Sequence, residues 1–278
     1  MKIRQINDAV VTAVPSRREE DIRPVKGATL FPKVVPSNIF LSAQTNSGKT
    51  SVIYKIVKEC IDKNTTVIAF VSTLFDDDSW LTIQEYCESK KIPFVGHTAI
   101  KENGEDHLQA LVDSLHEESK QREIKEKEKK AKIPKAKRHS LFWEDSDEEE
   151  DDEDKPSKSK YQTPRYLIIF DDISDELKAV SFQTLLKKSR HFKARVIISS
   201  QYLKDLSPMS RKQIYYYLVF KGESNDKLEI ILKDSGIPLS LDKFITVYKH
   251  ATQKPYSFLY VSRTGQLRRN FTHIYETE

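Results

Sequence analysis

An eight-residue loop near the start of the chain limits the fold more than any other part of the sequence. The run Ser37–Ala43 is apolar enough for a short buried strand, and apolar residues recur at helical spacing from Val52 to Ile61. A strand, a loop and a helix in this order form the setting of a phosphate-binding P-loop, whose pattern is G-x-x-x-x-G-K-[ST]. The residues at that position are Ala43, Gln44, Thr45, Asn46, Ser47, Gly48, Lys49 and Thr50.

The P-loop pattern assigns a role to each part of this loop. Backbone N–H groups from Thr45 to Thr50 are expected to cradle the phosphates of a nucleotide at the amino end of the helix, where the helix dipole favours negative charge. Lys49 is expected to reach the β- and γ-phosphates, and the Thr50 hydroxyl to ligate Mg²⁺. The loop therefore predicts a nucleotide and Mg²⁺ as ligands.

Ala43 departs from the pattern, because it occupies the position of the first glycine. That glycine mainly lets the loop leave the strand tightly, so alanine is expected to cost little if its φ stays negative. Gly48, which lies next to the phosphates in such a loop, is present. Taken alone, the loop leaves open a chance match in a turn rich in Ser and Thr.

A second motif supplies the acids that a P-loop enzyme needs. In "YLIIFDDIS" an apolar strand ends in Asp171 and Asp172. Asp171 has the position of the Walker B residue that holds Mg²⁺, and Asp172 that of a general base for the attacking water. Aspartate is one methylene shorter than the glutamate usual there. The alternative, two carboxylates that cap the next helix, fits poorly with a pair directly after an apolar strand.

A third segment, "SRHFKARVIISSQ", places two polar groups around another strand. Gln201 follows the strand and is predicted to sense the γ-phosphate beside the loop. Arg190 ends the preceding helix. A cation there is either a partner for the helix dipole or an arginine finger that acts on a neighbouring subunit, and the residues alone do not decide between these roles.

Strands and helices alternate along the chain, and most strands are nearly continuous apolar runs, as in Thr65–Thr73. This alternation predicts an α/β fold with a mainly parallel sheet flanked by helices. Residues 1–36 contain four prolines and are interpreted as an N-terminal arm. Residues 37–278 are predicted to form one P-loop ATPase domain, interrupted at about 117–163 by a charged insertion that is disordered or a helical spur.

The charges are distributed unevenly, although the net charge of the 278 residues is only +4. Lys120–Arg138 contains ten Lys or Arg against three Glu, and ten of the eleven residues in Glu144–Asp154 are acidic. The remainder is basic, which permits a polyanionic partner. No apolar run is long enough for a membrane span, and the two cysteines, Cys60 and Cys87, have no zinc-site or disulfide-framework spacing.

Together, "SAQTNSGKT", "YLIIFDDIS" and "SRHFKARVIISSQ", in that order, resemble the FtsK–HerA superfamily of DNA-pumping ATPases. Within it they are most similar to the genome-packaging ATPases of poxviruses, other large DNA viruses of eukaryotes, virophages and Maverick-type elements. The resemblance covers roughly Ser37 to Asp234.

This resemblance implies a RecA-like core and a homo-oligomeric ring that uses ATP and Mg²⁺ to drive double-stranded DNA into a capsid. It implies a capsid protein as a partner, and a location in the virion or in viral factories of the host cytoplasm, with the nucleus as a further option. Gln201 matches the family's polar sensor, and Arg190 its arginine. The long insertion and Ala43 depart from the pattern.

Two alternatives remain at the level of the sequence. One is another P-loop ATPase, helicase-like or a DNA-segregation motor, although a helicase would need a second RecA-like domain and no second P-loop is found. The other is a structural subunit with a degenerate P-loop. Ala43 favours that alternative, whereas the intact Lys49, Thr50, Asp171 and Asp172 argue against it.

Overall fold

The computed structural model describes residues 23–32, 36–132, 160–173 and 175–276. The acidic block and most of the predicted charged insertion lie outside the described residues, as do residues 1–22 and 33–35 of the predicted arm. The strands are β1 (Asn38–Ser42), β2 (Thr66–Val71), β3 (Phe94–His97), β4 (Lys101–Glu102), β5 (Glu105–Asp106), β6 (Tyr166–Asp171), β7 (Ala194–Ser200), β8 (Ile214–Phe220), β9 (Phe258–Ser262), β10 (Leu267–Arg269) and β11 (His273–Tyr275).

The helices alternate with the strands through most of the chain. They are α1 (Lys49–Cys60), α2 (Asp78–Ser89), α3 (His107–Lys132), α4 (Val180–Phe192), α5 (Pro208–Arg211), α6 (Asn225–Ser235) and α7 (Leu241–Ala251). Short 3₁₀ turns cover Asp175–Lys178 and Leu203–Asp205.

Nine of the described strands form one sheet, in the order β11-β10-β9-β8-β1-β7-β6-β2-β3. The six strands from β8 to β3 in this order pair in parallel, and β9, β10 and β11 add antiparallel strands beside β8. The predicted α/β fold with a mainly parallel sheet flanked by helices is confirmed. All six residues of β6 are buried, as expected for a parallel strand covered on both faces.

Helices cover both faces of the sheet, so the fold has three layers. On one face α1 and α2 pack against the odd-numbered residues of β6, such as Ile169. On the other face α3, α4, α6 and α7 pack against its even-numbered residues, such as Phe170. This alternation is the two-residue period of a strand. The P-loop and the acids after β6 therefore belong to one packed core.

Residues 23–32 fall within the predicted N-terminal arm and pack against this core. Leu30 and Phe31 are buried, and the ring of Phe31 lies 5.0 Å from the guanidinium of the buried Arg195. The backbone N–H of Lys26 donates to the carbonyl of Gln162 at 3.0 Å. The end of the arm thus contacts the chain at the far boundary of the predicted insertion.

The β4–β5 hairpin and helix α7 were not predicted from the sequence. The hairpin β4–β5 turns at Asn103 and Gly104, which have φ values of 52° and 85°, and α3 begins directly after it at His107. An Asn-Gly pair is a strong hairpin signal. Helix α7 starts with the Ser240 hydroxyl, which accepts a hydrogen bond from the Lys243 N–H.

The predicted insertion begins within α3, because this helix continues to Lys132. The apolar residues that bury α3 stop earlier, at Leu115. Within the described part of the chain, none of the helices is both long and apolar enough for a membrane span.

Candidate nucleotide site

The P-loop leaves β1 and closes onto the first turn of α1. Gly48 is the N-cap residue of α1 and has a φ of 91°, which L side chains rarely adopt. The Ser47 hydroxyl donates to the carbonyl of Gln44 at 2.6 Å. Ala43 is buried and is not among the residues with positive φ. The condition under which alanine was expected to cost little is therefore met.

Lys49 lies between the two acids that follow β6. Its Nζ is 3.1 Å from Oδ1 of Asp171, and it forms an ion pair with Oδ2 of Asp172 as well. Burial lowers the pKa of Lys49, but the two carboxylates outweigh this effect and raise the pKa above its ordinary value. Lys49 is therefore held as a cation at the carboxyl edge of the sheet.

Asp171 is buried, and its two oxygens face different groups. Burial raises its pKa, while the charge of Lys49 acts in the opposite direction. Oδ2 accepts a hydrogen bond of 3.2 Å from Nε1 of Trp80 in α2. Trp80 is fully buried and was missed by the sequence analysis. Its spacing with Ile83 and Cys87 indicates a buried helix face but gives no sign of the contact with Asp171.

Asp172 has a left-handed backbone, with a φ of 55°. Aspartate is one of the residues that tolerate this region. The conformation turns the chain sharply after β6, and the carboxylate of Asp172 is directed to Lys49. Unlike Asp171, the side chain of Asp172 is partly exposed.

Gln201 lies next to the P-loop. Its Nε2 donates to the Thr45 hydroxyl at 3.3 Å. The carbonyl of Gln201 accepts a hydrogen bond from Nζ of Lys227, which also pairs with Oε2 of Glu223 at 2.7 Å. Glu223 accepts a further bond of 2.6 Å from the hydroxyl of Ser42, the last residue of β1.

This chain of contacts joins the residue after β7 to the strand that leads into the P-loop. Lys227 and Glu223 were missed by the sequence analysis. Their spacing of four residues is a local signal for an ion pair. It gave no indication that the pair would touch Gln201.

Arg190 lies away from the loop. It is exposed at the end of α4 and lines a cavity of about 230 Å³ together with Asn38, Gln213 and Arg263. Asn38 begins β1, and Gln213 directly precedes β8. The cavity is therefore at the amino edge of the sheet, whereas the P-loop is at the carboxyl edge. Within one chain, the structure does not bring Arg190 to the other predicted site residues.

The residues present fit a nucleotide with Mg²⁺. The N–H groups at the start of α1 lie at a turn with positive φ, which suits phosphate oxygens. Oδ1 of Asp171 is buried and makes no hydrogen bond among the described residues, apart from its ion pair with Lys49. This carboxylate oxygen and the hydroxyl of Thr50, at the start of α1, are hard oxygen donors of the kind that Mg²⁺ prefers.

Solved structures that match the chain include two genome-packaging proteins of Sulfolobus viruses. The genome-packaging NTPase B204 from Sulfolobus turreted icosahedral virus 2, in complex with ATP-γS, has a TM-score of 0.49 and 16% identity, covering 88% of this chain and 100% of that chain. The DNA-packaging ATPase B204 from Sulfolobus turreted icosahedral virus has a TM-score of 0.49 and 16% sequence identity. This match covers 87% of this chain and 98% of that chain.

A third similar structure is the cytoplasmic domain of the type VII secretion ATPase EccC from Thermomonospora curvata. Its TM-score is 0.49 and its sequence identity is 14%. The match covers 84% of this chain and 24% of that chain. No curated protein sequence matches the chain.

The family model of the poxvirus A32 protein matches residues 140–265. The matched segment contains Asp171, Asp172, Arg190 and Gln201, and it begins after the P-loop. The resemblance predicted from the motifs is confirmed: over residues 140–265 this chain is similar to the poxvirus A32 protein.

Proposed function

We propose that this protein is an ATPase that translocates double-stranded DNA and packages a viral genome into its capsid, with residues 37–278 as the ATPase domain. The observation that carries the proposal is the position of Lys49, which lies between Asp171 and Asp172 at the end of β6. A P-loop lysine, a buried acid and a second acid beside it are the parts that hydrolysis of ATP requires.

Each group of residues in the site has its own role in ATP hydrolysis. N–H groups from Thr45 to Thr50 bind the phosphates, Lys49 neutralises their charge, and Thr50 and Asp171 hold Mg²⁺. Mg²⁺, when bound, supplies further positive charge to the phosphate oxygens. Asp172 takes the proton of the attacking water, since its carboxylate is partly exposed and therefore accessible.

Gln201 is proposed as the sensor of the nucleotide state. Its amide contacts Thr45 inside the loop, and its carbonyl is tied to Lys227. A change at the loop would therefore reach α6 through Gln201. This path gives ATP hydrolysis a mechanical connection to the rest of the domain.

Arg190 is proposed to act on the site of a neighbouring subunit in a ring. The arginine is exposed and lies at the opposite edge of the sheet from its own P-loop, as a residue that acts in trans requires. The likeness of residues 140–265 to the poxvirus A32 protein supports the packaging role, a capsid protein as partner and a location in viral factories of the host cytoplasm or in the virion.

The test is ATP hydrolysis by the full chain with and without double-stranded DNA. We expect wild-type activity to rise with DNA, to require Mg²⁺, and to be lost in Lys49→Ala and Asp172→Asn. Lys55→Ala is a matched control, because Lys55 lies on α1 with its side chain in solvent. Stimulation should fall steeply with salt and be independent of DNA sequence, since contacts of this kind go to the phosphate backbone.

Two results would contradict the proposal in different ways. A hydrolysis rate that does not change when DNA is added would argue against translocation and would favour another class of P-loop ATPase. No hydrolysis by the wild type would argue for a degenerate P-loop in a structural subunit.

A further inference from the structure

A second cavity, of about 260 Å³, lies directly beside the P-loop. One wall is formed by Asn46 and Ser47 of the loop, and another by the end of β8 at Phe220. The turn that precedes β9, residues 254–257, forms the third wall. None of the roles assigned so far uses this cavity.

Tyr256 is the unusual residue of that turn. Its side chain is 73% exposed, although it lies beside the packed end of the sheet. Its φ of 59° is in the left-handed region, which is rare for aromatic residues. A Cβ added at Gly48 would lie 3.2 Å from Cδ1 of Tyr256. The ring therefore packs against the P-loop glycine and leaves most of its surface open.

The order of the strands fixes which side of the loop the cavity occupies. The β6 and β7 side holds Asp171, Asp172 and Gln201, where the terminal phosphate of a nucleotide is expected. The cavity is on the other side, towards β8 and β9. A nucleotide whose terminal phosphate meets Lys49 and the two acids must direct its base away from them.

We propose that Tyr256 is the stacking platform for the base of the nucleotide, and that this cavity holds the nucleoside. The inference rests on the proposed function and adds the residue that binds the base. An exposed aromatic face can stack on any base. Lys221 and Lys254 line the cavity as exposed cations, which favours a ligand that carries phosphates.

The test compares a nucleotide with a ligand that has the same phosphates but no base. Affinities of the full chain for a non-hydrolysable ATP analogue and for inorganic tripolyphosphate are measured by titration calorimetry. The variants are Tyr256→Phe, which keeps the ring, Tyr256→Leu, which keeps apolar bulk against Gly48, and Tyr256→Ala. Phe75→Ala is the matched control, because Phe75 is a similarly exposed ring that follows β2.

We expect Tyr256→Ala and Tyr256→Leu to bind the ATP analogue about tenfold more weakly than the wild type, which is the size of effect expected for one lost stacking partner. Tripolyphosphate affinity should be unchanged in both, and Tyr256→Phe and Phe75→Ala should bind both ligands as the wild type does. Thermal unfolding without ligand should be unchanged, since the ring is mostly exposed.

Three outcomes would overturn the inference. If Tyr256→Ala and Tyr256→Leu bind the analogue as tightly as the wild type, Tyr256 does not stack on the base. If the affinities of both variants for the ATP analogue and for tripolyphosphate fall by the same factor, Tyr256 only supports the loop. In either case the proposed ATPase stands, whereas a wild type that binds neither ligand overturns both proposals.

Discussion

Nε1 of Trp80 donates a hydrogen bond of 3.2 Å to Oδ2 of Asp171, and both residues are buried. Lys49 approaches the other oxygen, so the carboxylate is fixed from two sides. A buried carboxylate is costly unless its oxygens find partners. Trp80 therefore supports the acid that we assign to Mg²⁺, although it lies on a helix with no site residue of its own.

Replacing Trp80 tests this support. Trp80→Phe keeps most of the packing but leaves Oδ2 of Asp171 without its donor. We expect the free energy of unfolding to fall by about 1–3 kcal/mol, as for a buried acceptor left unpaired. ATP hydrolysis should also need more Mg²⁺ for half-maximal rate, because the carboxylate is no longer held in place.

Ile83→Val is the control for Trp80→Phe, since Ile83 is buried on the same helix in the same cluster. It should cost about 1 kcal/mol of stability and leave the Mg²⁺ requirement unchanged. An unchanged Mg²⁺ requirement in Trp80→Phe would show that the indole serves packing alone.

The two small residues of the P-loop should respond differently to exchange. Gly48→Ala places a Cβ 3.2 Å from Tyr256 at a φ of 91°. We expect it to cost about 1–2 kcal/mol of stability and to weaken ATP binding strongly, because the loop cannot keep its shape. Ala43→Gly should bind ATP as the wild type does, since Ala43 already has a negative φ. Calorimetric titration of both variants checks this, and a large gain in Ala43→Gly would mean that Ala43 impairs the site.

Lys227 is predicted to position Gln201 for hydrolysis. Lys227→Met removes the contact to the Gln201 carbonyl and the partner of the buried Glu223. We expect kcat to fall about ten- to a hundredfold, as for a misplaced catalytic group, while KM for ATP changes little. Steady-state kinetics separates the two constants.

Lys233→Met is the matched control for Lys227→Met. Lys233 pairs with Glu229 at the same spacing on the same helix, but its side chain is exposed. An exposed pair contributes little, so kcat and stability should be close to wild type. Equal kcat values for Lys227→Met and Lys233→Met would show that Lys227 does not position Gln201 for hydrolysis.

Arg190 should complement a defective subunit if it acts in trans. Arg190→Ala and Lys49→Ala should each be nearly inactive. A mixture should regain activity, because an Arg190→Ala subunit still binds ATP and a Lys49→Ala neighbour still offers its arginine. Lys187→Ala, an exposed residue on the same helix, should be active alone. A mixture no more active than its two components would contradict action in trans.

Features with a local signal could be predicted from the sequence. The P-loop is one continuous segment, and the parallel sheet follows from apolar runs such as β2 and β6. Strand β2 lies within the predicted run Thr65–Thr73, and both strands are almost fully buried because a strand covered on both faces has no polar side to vary. Gln201 could be placed beside the loop because it follows a parallel strand, and all such strands end at one edge of the sheet.

Contacts between distant residues could not be predicted in the same way. Trp80 and Asp171 are 91 residues apart, and Lys227 and Gln201 are 26 apart. Each contact depends on how a helix packs on the sheet, which periodicity does not specify. No sequence pattern indicated Tyr256 either, since its proposed role depends on a turn that brings its ring close to Gly48. Helix α7 and the β4–β5 hairpin did carry local signals, a serine cap and an Asn-Gly turn.

The most direct test of the account is movement along DNA. A duplex carrying a bound third strand is incubated with the full chain and ATP, and release of the third strand is followed with time. We predict release by the wild type and only background release by Asp172→Asn. A wild type that hydrolyses ATP on this DNA but leaves the third strand bound would contradict translocation.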